Sequence, residues 1–249
     1  HDVADAAGNV TARVFPKLEA AQKLGMAREK TRAHQPLVLD SVPPPKGVPI
    51  VSPSRAGVEQ APHRLLQSVA EEVRDAETAR KEGLALHALL QHLGRVDRAQ
   101  WEHLAPRALE TLLPKLPDLH VRVAAKAIAI LDRPDFAHVF GPGSRAEVPF
   151  LLDLLRGGEP VRVSGRIDRL VVDDSSVLVI DYKSDAVPPR RAEDVPRNYL
   201  TQLGLYALVA GQMFPGRKVS AAILWTELES LMNLPDAALA AASADYTLK

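Results

Sequence analysis

Between residues 145 and 184 apolar residues recur at every second position in three runs: RAEVPFLLDL at 145–154, PVRVSGRIDRLVV at 160–172 and SVLVIDYKS at 176–184. Period two marks a half-buried strand, so this stretch predicts three strands, the last two joined across DDSS. Helical spacing returns over about 193–214. KVSAAILWTEL at 218–228 then predicts a fourth strand and LMNLP at 231–235 a fifth. Upstream the spacing is helical throughout about 62–140, with Leu, Val and Ala at three- and four-residue steps. Gly83 is a candidate break there, and Pro106, Pro114 and Pro117 punctuate the rest. The first 50 residues hold one plausible helix, about Phe15–Arg32, and then prolines at 36, 43, 44, 45, 49 and 53. Such a run is extended and reads as a linker. We therefore expect a helix and linker over 1–50 and one domain over 51–249. Its helical part covers about 62–140 and its sheet core about 145–235. The fold class is mixed α/β with a single sheet flanked by helices.

The second and third strands can be registered against each other. A two-residue turn at Asp174-Ser175 sets Asp173 against Ser176 and Val172 against Val177. Counting back, Asp168 falls opposite Asp181 and Arg166 opposite Lys183. Alternation puts Asp181 and Lys183 on one face of their strand and Ile180 and Tyr182 on the other. Two opposed carboxylates destabilise a sheet unless a cation or a shared proton lies between them. A divalent metal meets that need. A solvated hairpin face explains either acid alone; the pair, with a lysine two residues on, favours a site. A bulge near Gly165 would shift the register.

Composition narrows the chemistry. Basic and acidic residues number 31 each, so no overall charge points to nucleic acid or membrane. There is no cysteine, which removes disulfides, thiolate zinc sites, cysteine nucleophiles and iron–sulfur clusters. No apolar run is long enough to predict a membrane span. The chain begins at His1 rather than Met, and is expected to be part of something longer. GQMFPGRKV at 211–219 looks superficially like a phosphate-binding loop, but it follows a helix and lacks the Lys-Ser/Thr ending.

Several blocks together resemble the RecB-like PD-(D/E)XK nucleases: VSPSRAG at 51–57, EGLALHALLQHL at 82–93, AEVPF at 146–150, GRID at 165–168 with DYKS at 181–184, and YLTQLGLYAL at 199–208. Within that family the C-terminal nuclease domain of AddA-type helicase–nucleases is the most similar. The resemblance implies a restriction-endonuclease-like core and Mg²⁺-dependent (Mn²⁺ is an alternative) hydrolysis of DNA, without an iron–sulfur cluster. It implies metal ligation by His87, Asp168, Asp181 and the backbone carbonyl of Tyr182. Lys183, Gln202 and Tyr206 complete the catalytic set, and Glu147 is either a site acid or a strand-start charge. Ser52, Ser54 and Arg55 would touch DNA, while Arg166, Arg190 and Arg191 are candidate phosphate contacts and Tyr199 a candidate for base stacking. The implied setting is bacterial, cytoplasmic and nucleoid-associated, with no membrane. There the domain would cut single-stranded DNA ends made by an upstream helicase region, beside an AddB-like partner, in double-strand break repair and recombination. The rival expectations are a retired nuclease that only binds DNA or docks a partner protein, and a free-standing exonuclease of the same superfamily.

Overall fold

The computed structural model describes residues 2–4, 10–13, 47–56 and 69–249. The chain divides into two units, His1–Lys46 and Gly47–Lys249. In the first, β1 (Asp2–Ala4) pairs antiparallel with β2 (Val10–Arg13), with a register shift after Val3. The sequence pattern held no sign of this small ribbon. The expected helix at 15–32 lies outside the described residues.

The second unit is a mixed seven-stranded sheet with helices on both faces. After β3 (Ile50–Val51) and a 3₁₀ turn at Pro53–Arg55 come α1 (Val69–Leu93), α2 (Trp101–Leu112), α3 (His120–Leu131) and the single turn α4 (Ala137–Phe140). The strands β4 (Ser144–Arg156), β5 (Glu159–Val172) and β6 (Ser176–Lys183) follow as an antiparallel meander. Gly157 and Gly158 make the first turn, both with positive φ (56° and 86°), as a two-residue hairpin requires. α5 (Arg197–Met213) crosses over to β7 (Lys218–Trp225), which pairs parallel with β6; a parallel pair needs such a crossover. β8 (Ser230–Asn233), α6 (Asp236–Ala242) and β9 (Tyr246–Leu248) close the chain. The strand order is β8-β7-β6-β5-β4-β9, with β3 parallel to β5.

Alternation along β6 divides the core. Ile180 and Tyr182 face α1, α2 and α3 with Val171 and Leu224. Val177 and Val179 face α5 with Ile223 and Trp225. Three expectations need correction. α1 runs unbroken through Gly83, and α2 contains Pro106. At Gly83 the missing side chain lets α1 approach β6, since a Cβ there would lie 3.3 Å from Ser184 Oγ. The helix at 193–214 begins only at Arg197, after a 3₁₀ turn at Ala192–Asp194.

Candidate active site

The counted register between β5 and β6 is observed from Val172↔Val177 to Arg169↔Ile180, and there the ladder stops. Asp168 does not pair with Asp181, nor Arg166 with Lys183. The cause is local. The Tyr182 backbone N–H, which a continuing ladder would engage, donates instead to Asp168 Oδ2 at 2.8 Å. Farther along, the same edge of β5 pairs with β3 at Arg162 and Val163. On its other edge β5 pairs with β4 at Ala146↔Arg169 and Val148↔Ile167, skipping Glu147. Glu147 has φ 53°, a left-handed conformation that costs about 1–3 kcal/mol in a residue other than glycine. The sheet is thus open on both sides of Asp168, and the fork admits side chains from either face.

From the α5 face come Asp181 and Lys183. Asp181 is buried at 2% exposure. Its Oδ1 accepts from Gln202 Nε2 at 2.9 Å, and the same nitrogen donates to the Tyr206 hydroxyl at 3.0 Å. Lys183 Nζ donates to Gln202 Oε1 at 3.0 Å and lies 4.4 Å from the Tyr199 ring centroid. The Tyr199 hydroxyl donates in turn to the Asp185 carboxylate at 3.0 Å. Lys183 Nζ is also 2.6 Å from Asp181 Oδ2, an ion-pair distance. That ion pair is the one described contact of this buried oxygen. From the other face α1 brings His87, whose Nδ1 is 3.8 Å from Asp168 Oδ2 and whose ring meets the Tyr182 ring edge-on at 5.2 Å between centroids.

Burial and then the neighbouring Asp181 charge raise the Asp168 carboxyl well above the usual carboxylate range. Burial lowers the His87 imidazole, against the opposing pull of Asp181, so the ring favours the neutral form a metal requires. Burial also pushes the Tyr206 phenol up, with Asp181 adding to it, and the Tyr182 phenol to about 12. Both hydroxyls stay protonated.

Among the described residues no three His, Asp or Glu side chains stand ready-made as a metal cage. The donor set nevertheless fits a hard divalent cation. Two crowded carboxylates, one with a buried oxygen held only by the lysine, adjoin a neutral imidazole and a strand end.

The remaining candidates lie apart from this cluster. Arg166 is exposed and sits 3.6 Å from Glu147 Oε2. Arg191 pairs with Asp194 at 3.2 Å and Glu193 at 3.9 Å in its own loop, and Arg190 is exposed. The Ser52 and Ser54 hydroxyls bond each other at 3.0 Å, and Arg55 is exposed; no described contact joins the three to the carboxylates. Sequence reasoning missed Arg169, which is buried at 2% exposure. It donates to the Tyr182 hydroxyl at 2.8 Å, Ser144 Oγ at 2.8 Å and the Leu90 carbonyl at 2.9 Å. Its only signal was the two-residue alternation that sets it on the same face of β5 as Val171, toward the helices.

A mixed sheet flanked by helices, with two acids and a lysine at its fork, defines a nuclease of the PD-(D/E)XK class. A family model described as the PD-(D/E)XK nuclease superfamily matches residues 58–246, and the chain belongs to that superfamily. Its curated relatives are more particular. The chain is similar to an AddA-type ATP-dependent helicase/nuclease of Pelotomaculum thermopropionicum, 32% identical over 167 residues, 59% of this chain and 13% of that protein. The proteins of the same description from Desulforamulus reducens and Heliobacterium modesticaldum are 33% and 30% identical, each over 52% of this chain and over 12% and 10% of their own lengths. The chain thus spans a small part of the relatives it matches. Among solved structures, that of SSO0001 aligns with 65% of this chain and 83% of its own at 17% identity and a TM-score of 0.29, too slight a likeness to argue from. Among the described residues no helix is long and apolar enough to cross a membrane.

Proposed function

We propose that this chain is a metal-dependent deoxyribonuclease that hydrolyses phosphodiester bonds of single strands, as the nuclease part of a helicase–nuclease acting in double-strand break repair. The observation that carries the reading is the fork itself, where His87, Asp168 and Asp181 meet beside Lys183. Asp168, Asp181, His87 and the Tyr182 carbonyl would hold Mg²⁺, with Mn²⁺ as a substitute. Such a cation polarises a phosphate oxygen and lowers the pKa of bound water.

The chain's own residues do the rest. Lys183 places a positive charge against the fork, where negative charge develops on the phosphate during attack. Gln202 fixes that lysine. Lysine only donates, so the amide must turn Oε1 toward it and Nε2 toward Asp181 and Tyr206. The Tyr206 hydroxyl accepts the second N–H of the amide, whose orientation the donor Lys183 and the acceptor Asp181 fix. The Tyr199 ring closes the far side of the lysine, which leaves it less open to base stacking. The Glu147 carboxylate crowds Asp168 and strengthens the site's demand for a cation.

The relatives' description as ATP-dependent helicase/nucleases supports placing the strand-feeding motor outside the described domain. A bacterial cytoplasmic setting with an AddB-like partner belongs to the same reading. The retired-site alternative draws on the close approach of Lys183 to Asp181, in the space a cation would claim. Digestion of end-labelled single- and double-stranded DNA in Mg²⁺, Mn²⁺ and chelator separates the two. Cutting of single strands that requires the cation is the expected result. No cutting of any substrate, at any metal concentration, leaves only the binding role.

A further inference from the structure

A second concave surface begins at Glu147, on the opposite side of that residue from the fork. It is a cavity of about 410 Å³ between the end of α1, α4 and the start of β4, walled by Arg95, Arg145 and Arg169 with Glu147 at its edge. Three arginines and one carboxylate line it, a local excess of positive charge in a chain whose formal charges cancel overall. Ion pairs among the described residues involve none of the three. The described hydrogen bond of the Arg95 side chain is a long one, 3.4 Å to the Ala146 carbonyl. Arg169 bonds neutral acceptors and lies 4.7 Å from the Phe140 ring centroid, so no described anion offsets its buried charge. It uses three of its five N–H donors, and two are left for something else.

The position of the cavity says what that is. Glu147 lies across from Asp168 on the neighbouring strand, so the cavity and the fork share a wall. Along α1, Gly94 at the cavity lies seven residues beyond His87, about 10 Å at the rise of a helix. That is the reach of the next one or two phosphates on a strand whose scissile phosphate sits at the fork. We propose that the cavity is a phosphate subsite, in which Arg95 and Arg145, with the free N–H groups of Arg169, hold a phosphate of the DNA strand adjacent to the one cut. The proposal rests on the nuclease reading for its substrate, but its test does not depend on cleavage.

The test is binding of a fluorescent single-stranded oligonucleotide to the full chain in chelator, where nothing is cut. The parent is compared with the double variant Arg95→Ala/Arg145→Ala, and the oligonucleotide carries a 5′-phosphate, a 3′-phosphate or neither. Both arginines are exposed, so the fold tolerates the change. The double variant should bind about tenfold more weakly, as expected for losing charged hydrogen bonds. The slope of log Kd against log salt should fall by about 0.7, the value for one phosphate on a single strand. Equal losses for all three oligonucleotides assign the subsite to an internal phosphate. A loss confined to one phosphorylated end assigns it to a strand terminus. Either supports the subsite. Arg107→Ala, an exposed arginine on α2, should leave Kd and slope unchanged. Parent-like binding by the double variant in every arm overturns the proposal, and so does an equal loss in Arg107→Ala. If the parent binds as described but never cuts DNA with Mg²⁺ or Mn²⁺, the nuclease reading falls and the subsite stands.

Discussion

Asp168 concentrates the unfavourable terms of the site. It lacks a ladder partner on either edge of its strand, and burial and Asp181 together oppose its ionisation. A raised acid keeps its proton in the folded chain over a range where the unfolded chain has already released it. Folding stability therefore falls as pH climbs from about 4 toward the folded pKa and stays lower above it. Asp168→Asn removes this loss while keeping an oxygen to accept the Tyr182 N–H. In chelator at neutral pH the variant should melt above the parent, and the gap should close as pH falls toward 4. Mg²⁺ should stabilise the parent by mass action and the variant much less. Melting below the parent in chelator at neutral pH, with a normal response to Mg²⁺, would falsify the crowded-carboxylate site. Lys183 carries the opposite sign. Lys183→Ala should lower cleavage by about 10²-fold or more, the usual loss for one transition-state donor, while thermal stabilisation by Mn²⁺ persists. Cleavage within tenfold of the parent removes Lys183 from the chemistry.

At the scale of elements, what was legible depended on periodicity and what was missed depended on packing. β4, β5 and β6 were readable because alternation runs along each strand, and the β5–β6 register was readable from the turn residues. The end of that register was not, because it is set by a side chain, Asp168, taking a backbone donor. The carboxylates, lysine, histidine and Gln202–Tyr206 pair were legible as motifs. Arg169 was not, since alternation sets it on the other face of β5 from Arg166 without saying which arginine is covered, and only the three-dimensional fold buries one and exposes the other. Gly83 misled because a glycine costs a helix about 1 kcal/mol, less than α1 gains from packing on α3 and the sheet. α6 and β9 are too short to show a period. Yet α6 restricts the site-bearing helix closely. A Cβ on Gly204 of α5 would lie 2.7 Å from Ser243 Oγ and 2.8 Å from the Leu239 carbonyl. Gly204→Ala should therefore destabilise by about 1–3 kcal/mol in urea unfolding, despite the better helix propensity of alanine. A stabilised variant would show that α6 yields without cost.

For the molecule as a whole the balance of charge limits how it can hold DNA. With 31 basic and 31 acidic residues, net charge supplies no general attraction to DNA, so counterion release depends on where individual cations sit. On the reading above, affinity draws on placed cations, among them Lys183 at the fork and the arginines that line the neighbouring cavity. A grip made of so few contacts is weak in dilute solution, in keeping with the proposed delivery of the strand by a motor. The same argument fixes a number. Contacts to about two phosphates give log KM a slope of about 1.4 against log salt, so a fourfold rise in salt should raise KM about sevenfold. In kinetics on a single-stranded oligonucleotide with Mg²⁺, kcat should hold nearly constant across that range, because Lys183 and the carboxylates are shielded within the fork. A slope above about 4 would require an extended basic track that these few cations do not make, and strand delivery would then no longer be needed to explain how the chain engages DNA.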